Sequence, residues 1–284
     1  MLTITPRPET VEGHPILRPL PSARCRSVGP FVFFDHMLPH TYAPGSGMDI
    51  QQHPHIGLST LTYLFEGQLQ HKDSLGSDQQ VSPGEVSWMN AGKGIAHVER
   101  TPLALRQSGS RLHGLQVWLA SPRDHEQGQS AYSHHPASQL PQTDNLGIRI
   151  RLIAGEGFGL RSPVPVLSAT LYAELHMATA TTLAIPSEHQ QRALYLLDGD
   201  ASLDGEPLQR RTLVVLEPGE TPNLCADSDC HAVLLGGAPL DGPRRMRWNF
   251  VASDLALIEQ AQQRWVDGDW PVVPGENGRI EWPT

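Results

Sequence analysis

The order of apolar and polar residues predicts a chain of short strands. Leu58–Leu64 is rich in leucine, threonine and tyrosine, and Leu112–Leu119 alternates apolar with polar side chains. Both patterns favour β-structure, and glycine- and proline-containing segments between such runs indicate turns. We therefore expect an all-β first half. Its predicted strands cover 28–35, 48–54, 57–66, 67–73, 79–82, 85–90, 95–100 and 112–120.

The second half repeats features of the first. Tyr63–Gly67 is echoed by Tyr195–Gly199, and Pro83–Glu85 is echoed by Pro218–Glu220. The offsets, 132 and 135, predict two similar β-domains rather than a solenoid. We expect domains at 1–122 and 147–284.

Two polar or proline-rich segments are predicted to be irregular. Residues 123–146 are weakly periodic, so we place a linker there and expect His134 and His135 to lie in a solvated loop. Residues 1–26 are proline-rich and are expected to form an extended arm over the first domain.

A C-terminal helix is the only clear helical pattern. Apolar residues recur at helical spacing from Leu255 through Ile258 and Ala261 to Trp265. Ser253 is the predicted N-cap and Gly268 suits the helix end. We expect this helix to dock on a β-domain.

Composition narrows the class of protein. The 284 residues carry a net charge of −9 and contain no cluster of lysine and arginine. We therefore expect no direct binding to nucleic acid. Three cysteines, and no apolar signal or membrane-length segment, predict a cytoplasmic protein without membrane contact. We also expect a monomer.

Two short motifs carry candidate chemistry. Side chains at i and i+2 of a strand share a face, so His53 pairs with His55, and His97 with Glu99. If both pairs face one interior, three imidazoles and a carboxylate converge as a metal site. Alternatively, the same residues pack or solvate the mouth of a barrel without metal. The donor set suits Fe(II), Mn(II), Ni(II) or Cu(II) better than structural Zn(II).

The spacing around these motifs resembles the cupin motifs and, more narrowly, the pirin family. Gly47, His53, His55 and Gly67 look like the first cupin motif, and residues 84–97 look like a lengthened second one. The pirin likeness is dense over residues 27–100. Further resembling segments are Ser27–His36, His71, Asp73–Gly76, Trp88–Met89 and Ala91–Ile95.

The resemblance implies two tandem cupin-type β-barrel domains with a short C-terminal helix. It also implies a metal held by His53, His55, His97 and Glu99, with Fe(II) as the leading ion and Mn, Ni, Cu or Zn as alternatives. The implied activity is a quercetin 2,3-dioxygenase-like oxidoreductase that opens a flavonol ring with O2. A small aromatic enol is then the substrate, and Glu99 is the catalytic base that takes its hydroxyl proton.

Two other functions stay open. Some pirin relatives act as iron-binding regulators of a transcription factor or a metabolic enzyme, which would give this chain a protein partner and no turnover. A cupin metal site also suits a non-oxidative isomerase or lyase. The chain departs from the usual pirin motif after His55, where Ile56–Thr60 lacks the expected Arg, Phe and Glu. The missing residues weaken the hypothesis that the chain is an iron-binding regulator. The four expected ligands are present.

The second half is predicted to bind no metal. Applying the offsets places Ile185, Ser187, Ala232 and Leu234 where the first half has its four ligands. Glu174 and His176 share a strand face, and Glu188, His189 and His231 are nearby, so a second metal site there is the minor alternative. We therefore expect a cupin-like second domain without metal ligands.

Overall fold

The computed structural model describes residues 1–283 and is mostly β, with 51% strand and 9% helix, as predicted. Residue 284, the last of the predicted second domain, lies outside the described residues. The first twelve strands are β1 (Leu2–Ile4), β2 (Arg7–Val11), β3 (His14–Leu20), β4 (Phe31–Tyr42), β5 (Asp49–His55), β6 (Leu58–Glu66), β7 (Leu69–Asp73), β8 (Asp78–Val81), β9 (Val86–Asn90), β10 (Ile95–Arg100), β11 (Ser110–Ala120) and β12 (Ala131–His135).

The remaining strands precede the C-terminal helix. They are β13 (Gln142–Asn145), β14 (Ile148–Gly157), β15 (Leu160–Arg161), β16 (Thr170–Met177), β17 (Thr182–Ala184), β18 (Gln191–Asp198), β19 (Ala201–Leu203), β20 (Glu206–Pro207), β21 (Leu213–Leu216), β22 (Asn223–Ala226), β23 (Cys230–Gly237), β24 (Arg245–Arg247) and β25 (Phe250–Ala252). Helices α1 (Leu103–Ser108) and α2 (Leu255–Asp267) and two single 3-10 turns, Arg123–His125 and Ala137–Gln139, complete the elements.

The chain forms two compact units that interleave along the sequence. Unit 1 comprises Met1–Arg7, Leu17–Phe34 and Ser138–Pro239, and unit 2 comprises Pro8–Ile16, Asp35–Ala137 and Leu240–Thr284. The units therefore do not follow the sequential division into 1–122, 123–146 and 147–284. Two contacts explain why the units interleave in sequence. Strand β1 pairs with β21 in unit 1, and the C-terminal segment packs on unit 2.

Each unit contains a large and a small antiparallel sheet in the same strand order. In unit 2 the orders are β12-β9-β6-β11-β4-β3-β2 and β5-β10-β7-β8, although β2, β3 and β4 each include residues assigned to unit 1. In unit 1 they are β1-β21-β18-β23-β16-β14-β13, with β15 beside β14, and β17-β22-β19-β20. Position by position, β18 corresponds to β6, β22 to β10 and β23 to β11. The two predicted cupin domains are present as these sheet pairs.

This correspondence explains the similarity between Tyr63–Gly67 and Tyr195–Gly199. Gly67 and Gly199 end β6 and β18 with φ of 80° and 81°. A Cβ at either position would lie within 2.3 Å of a backbone oxygen on a neighbouring segment, Arg111 or Asp229. Glycine is required in both copies for the same two reasons.

The second repeated motif, Pro-Gly-Glu, lies in turns that connect non-equivalent strands of the two units. Pro83–Glu85 lies between β8 and β9, whereas Pro218–Glu220 lies between β21 and β22. The offset of 135 was therefore wrong, and with it the assignment of Ala232 and Leu234. Strand pairing gives Pro222 and Leu224 as the counterparts of His97 and Glu99.

Two segments predicted to be irregular are ordered strands. The N-terminal residues form β1 to β3 rather than an arm, and β2 lies at a sheet edge where proline is tolerated. His134 and His135 lie in β12, not in a solvated loop; His134 Nε2 is 3.0 Å from a Glu85 carboxylate oxygen. β12 pairs with β9 along its whole length.

Helix α2 is present as predicted but is capped one residue later. Asp254 accepts a hydrogen bond from the Ala256 N–H at 3.0 Å, while Ser253 is engaged by Glu126. The buried face of α2 is formed by Ile258, Ala261 and Trp265. It packs within unit 2 against Ile56, Ala96, Val98, Phe250 and Trp270. Within residues 1–283, neither helix has the length and apolar character needed to span a bilayer.

Candidate metal centre

The short sheet of unit 2 positions the predicted ligands. His53 and His55 end β5, and His97 lies on β10, directly opposite His53 in the antiparallel register. The strand register slips between His97 and Glu99. All four side chains are at least 94% buried.

The three histidines converge, and Glu99 stands apart from them. Among the described residues, one ring nitrogen from each of His53, His55 and His97 lies within 4.8 Å of the others. The Glu99 carboxylate is outside that mutual spacing. It is held instead by Gln116, whose side-chain N–H group lies 2.9 and 3.0 Å from the two oxygens, and by the Thr62 hydroxyl at 3.3 Å.

Hydrogen-bond partners fix which nitrogens of His53 and His55 carry protons. Their Nδ1 atoms lie 2.8 Å from the Gln51 carbonyl and 3.2 Å from the Asn249 carbonyl, respectively. A carbonyl only accepts, so each Nδ1 donates and each Nε2 keeps a lone pair.

His97 is joined to Asp73 through a chain of polar contacts. His71 Nε2 lies 3.0 Å from an oxygen of the buried Asp73 carboxylate, which accepts a hydrogen bond from it. His71 Nδ1 lies 3.4 Å from His97 Nδ1. A proton that His97 donates from Nδ1 to His71 would leave a lone pair on His97 Nε2, the form that binds a metal.

This arrangement fits a metal ion. His55 Nε2 and His97 Nε2 are 3.1 Å apart. With a lone pair on each nitrogen, the two atoms would repel unless a cation lay between them. Ligands at right angles around an ion with bonds of about 2.1 Å are about 3.0 Å apart, so the observed spacing suits coordination.

Electrostatics favour the neutral, ligating form of these imidazoles. Burial lowers the pKa of His55 and His97 well below the ordinary value, and neighbouring histidines lower it further. Burial also lowers the pKa of His53, against the opposing influence of Glu99. Deprotonated imidazole is the form that binds a metal.

The outer residues of the site were not among the predicted ligands. His71 is 4% exposed and links Asp73 to His97. The spacing of His71 and Asp73 on one strand face was the signal that could have shown this. Gln116 had no such signal, because its partner Glu99 is on another strand.

The chain is thus a two-unit cupin protein with a histidine-rich candidate metal centre in one unit. The sequence pattern described as Pirin matches residues 13–119, and that described as Pirin C-terminal cupin domain matches residues 172–271. The chain belongs to the pirin family, and the predicted tandem cupin fold is confirmed.

Individual relatives agree with this assignment. A pirin-like protein of Caulobacter vibrioides is 43% identical over 266 residues, which cover 93% of this chain and 92% of that protein. A Pseudomonas aeruginosa protein provisionally named a quercetin 2,3-dioxygenase is 36% identical, covering 90% of this chain and 80% of its own length. The crystal structure of a quercetin 2,3-dioxygenase from Acinetobacter baumannii superposes with a TM-score of 0.92 at 31% identity, covering 100% of this chain and 95% of that one.

Proposed function

We propose that the chain is a metal-dependent dioxygenase that opens a flavonol-like enol with O2. The convergence of three buried imidazole nitrogens beside a buried carboxylate carries the proposal. The likeness to quercetin 2,3-dioxygenases supports the substrate class. We further propose a monomeric, cytoplasmic protein; its three cysteines are free thiols.

The proposed ligands are His53, His55, His97 and Glu99, with Fe(II) as the ion. A bound divalent ion would favour loss of the substrate hydroxyl proton and offer a position for O2. Coordination by Glu99 requires its carboxylate to turn from Gln116 toward the three imidazoles. Imidazole together with carboxylate suits a first-row ion with open positions.

Glu99 is the proposed proton acceptor. Its carboxylate is 4% exposed, so bulk water competes little for the substrate proton. Gln116 donates to both carboxylate oxygens and thereby orients them, and the Thr62 hydroxyl adds a third contact. Trp118 meets His55 edge-on at 5.1 Å between ring centroids and gives the site an apolar wall.

The direct test is turnover by protein loaded with Fe(II) without oxygen and then given quercetin and O2. We expect consumption of quercetin with release of carbon monoxide. Glu99→Gln keeps the size and one oxygen of the side chain but loses the base, so kcat should fall by about 10²–10⁴-fold. Glu66→Gln, at an exposed pair with Arg111, is the matched control and should leave kcat unchanged.

Other results would assign the chain elsewhere. Metal binding without turnover, together with a retained protein partner, would favour the regulatory function. Conversion of the enol at an unchanged rate under argon would favour an isomerase or a lyase. Full activity of Glu99→Gln would remove Glu99 as the base.

A further inference from the structure

A second cluster of ligand-type side chains lies in unit 1, on the face of the large sheet that turns away from the apolar core. On β16 the core-facing residues include Ala173, Leu175 and Met177. Glu174 and His176 alternate with them and therefore point to the opposite face. His231 on β23 lies directly across from His176 in the register, so it joins the same face.

The three side chains meet at one carboxylate oxygen. Glu174 Oε1 is 3.1 Å from His176 Nε2 and 3.0 Å from His231 Nε2. The two imidazole rings stack, with centroids 4.1 Å apart and planes 13° from parallel. One ligand atom from each residue lies within 4.8 Å of the others.

These distances fit a shared ion with a small adjustment. Ligands at the corners of a tetrahedron with bonds of about 2.0 Å are about 3.3 Å apart. The Glu174 oxygen is already within about 0.3 Å of that separation from both nitrogens. A carboxylate only accepts, so each Nε2 donates its proton to Glu174 Oε1 in the absence of an ion, and ion binding requires each Nε2 to give up that proton. Neither strand has to change its register for this replacement.

The surroundings favour a cation that exchanges with solvent. A surface cavity of about 470 Å³ reaches His176 and His231, and its rim includes Asp144, Asp198 and Asp229. The Glu174 side chain is 7% exposed and the His231 side chain 18%, but His176 is 36% exposed and leaves an approach from solvent.

A further contact orients the carboxylate. Arg151 lies 3.9 Å from the other carboxylate oxygen, Glu174 Oε2, and holds Oε1 toward the imidazoles.

We propose that Glu174, His176 and His231 form a second divalent-metal site, whose two imidazoles and one carboxylate suit Zn(II). Three protein ligands leave one tetrahedral position for water, as in zinc sites that are open to solvent. The site is not a remnant of the cupin centre. The counterparts of the cupin ligands in unit 1 are Ile185, Ser187, Pro222 and Leu224, whereas these three side chains lie on the outward face of the other sheet.

The test is Zn(II) binding by the tag-free, full-length protein, measured by competition with a chromogenic chelator. We expect two Zn(II) per wild-type chain and one per His53→Ala/His97→Ala chain, which retains the second site. In that double variant, adding Glu174→Gln should lower the remaining affinity at least about tenfold. His176→Ala/His231→Ala in an otherwise wild-type chain should bind one ion.

Matched controls separate this site from adventitious binding. His189→Ala removes another histidine of unit 1, whose ring nitrogen lies 2.9 Å from the Glu156 carbonyl, and should leave Zn(II) binding unchanged. Glu174→Gln preserves side-chain volume, and thermal unfolding of each variant checks its fold. Zn(II) affinity that is insensitive to Glu174→Gln and to the histidine pair, or that falls equally in His189→Ala, would overturn the proposal. Because the readout is Zn(II) binding, it is independent of dioxygenase activity.

Discussion

The two units share one strand order but fill the space between their sheets differently. In unit 2, Thr62 faces Gln116 across β6 and β11, and Glu99 faces His71 across β10 and β7. The corresponding pairs in unit 1 are Leu194 with Leu234 and Leu224 with Leu203. All four leucines are at most 1% exposed.

This difference shows that the fold does not need the polar residues Thr62, Gln116, Glu99 and His71. The same topology closes around leucines in unit 1, where burial of apolar surface stabilises it directly. Unit 2 instead buries imidazoles and a carboxylate, which costs free energy unless they are paired or bind an ion. The polar interior of unit 2 is therefore best explained by metal binding and catalysis rather than by stability.

The largest expected effect comes from giving unit 2 a residue of unit 1. His53→Ile introduces the counterpart residue, Ile185, and removes one imidazole ligand. Metal affinity should fall by more than about a hundredfold. Loss of a residue that only orients a ligand lowers affinity by up to about a hundredfold, and His53 is itself a proposed ligand. Elemental analysis after equilibrium dialysis measures the metal bound per chain. Unchanged metal occupancy would show that His53 is not a ligand.

The reverse exchange tests the apolar interior of unit 1. Leu234→Gln introduces the counterpart of Gln116 among leucines, where its amide finds no carboxylate like Glu99. We expect a loss of about 3–5 kcal/mol in the free energy of unfolding, from lost apolar burial and an unsatisfied amide. Urea unfolding measures it. Metal binding by unit 2 should be unchanged in the folded protein, and an unaffected midpoint would show that the interior of unit 1 tolerates polar groups.

The smallest expected effect concerns acid sensitivity, which the comparison places in unit 2. Burial, and after it the charge of His40, lowers the pKa of His14 to about 4. Below pH 6.5 the unfolded chain binds a proton that the folded chain does not, so stability falls as pH drops from 6.5 to 4. His14→Phe should reduce that fall by about 2 kcal/mol.

The measurement is urea unfolding of both proteins at pH 7 and pH 4.5. Phe at position 14 keeps a buried aromatic ring beside Tyr42 but cannot bind a proton. Parallel pH dependences of the wild type and the variant would show that His14 does not contribute to acid sensitivity.

Local patterns were enough to predict the strands of the first cupin motif and the helix. β5 to β11 lie within two residues of their predicted limits, because each has a clear apolar pattern and a glycine or proline turn beside it. The convergence of His53, His55 and His97 followed from strand alternation and the family resemblance. The position of Glu99 beside Gln116 did not, because it depends on register between distant strands.

Non-local pairing explains the remaining differences. No local signal shows that β1 joins unit 1 or that the segment after Pro239 packs on unit 2. The meeting of His231 with Glu174 and His176 likewise depends on the β16 to β23 register, because Glu174 and His231 are 57 positions apart in sequence. The mistaken offset arose because two Pro-Gly turns look alike in sequence but join different strands.

Anomalous diffraction at the iron edge, from crystals loaded with Fe(II) without oxygen, would locate the bound metal. We expect a peak about 2.0–2.2 Å from the Nε2 atoms of His53, His55 and His97, and none among Ile185, Ser187, Pro222 and Leu224. Iron bound elsewhere, with no peak between the three imidazoles, would contradict the proposed metal centre.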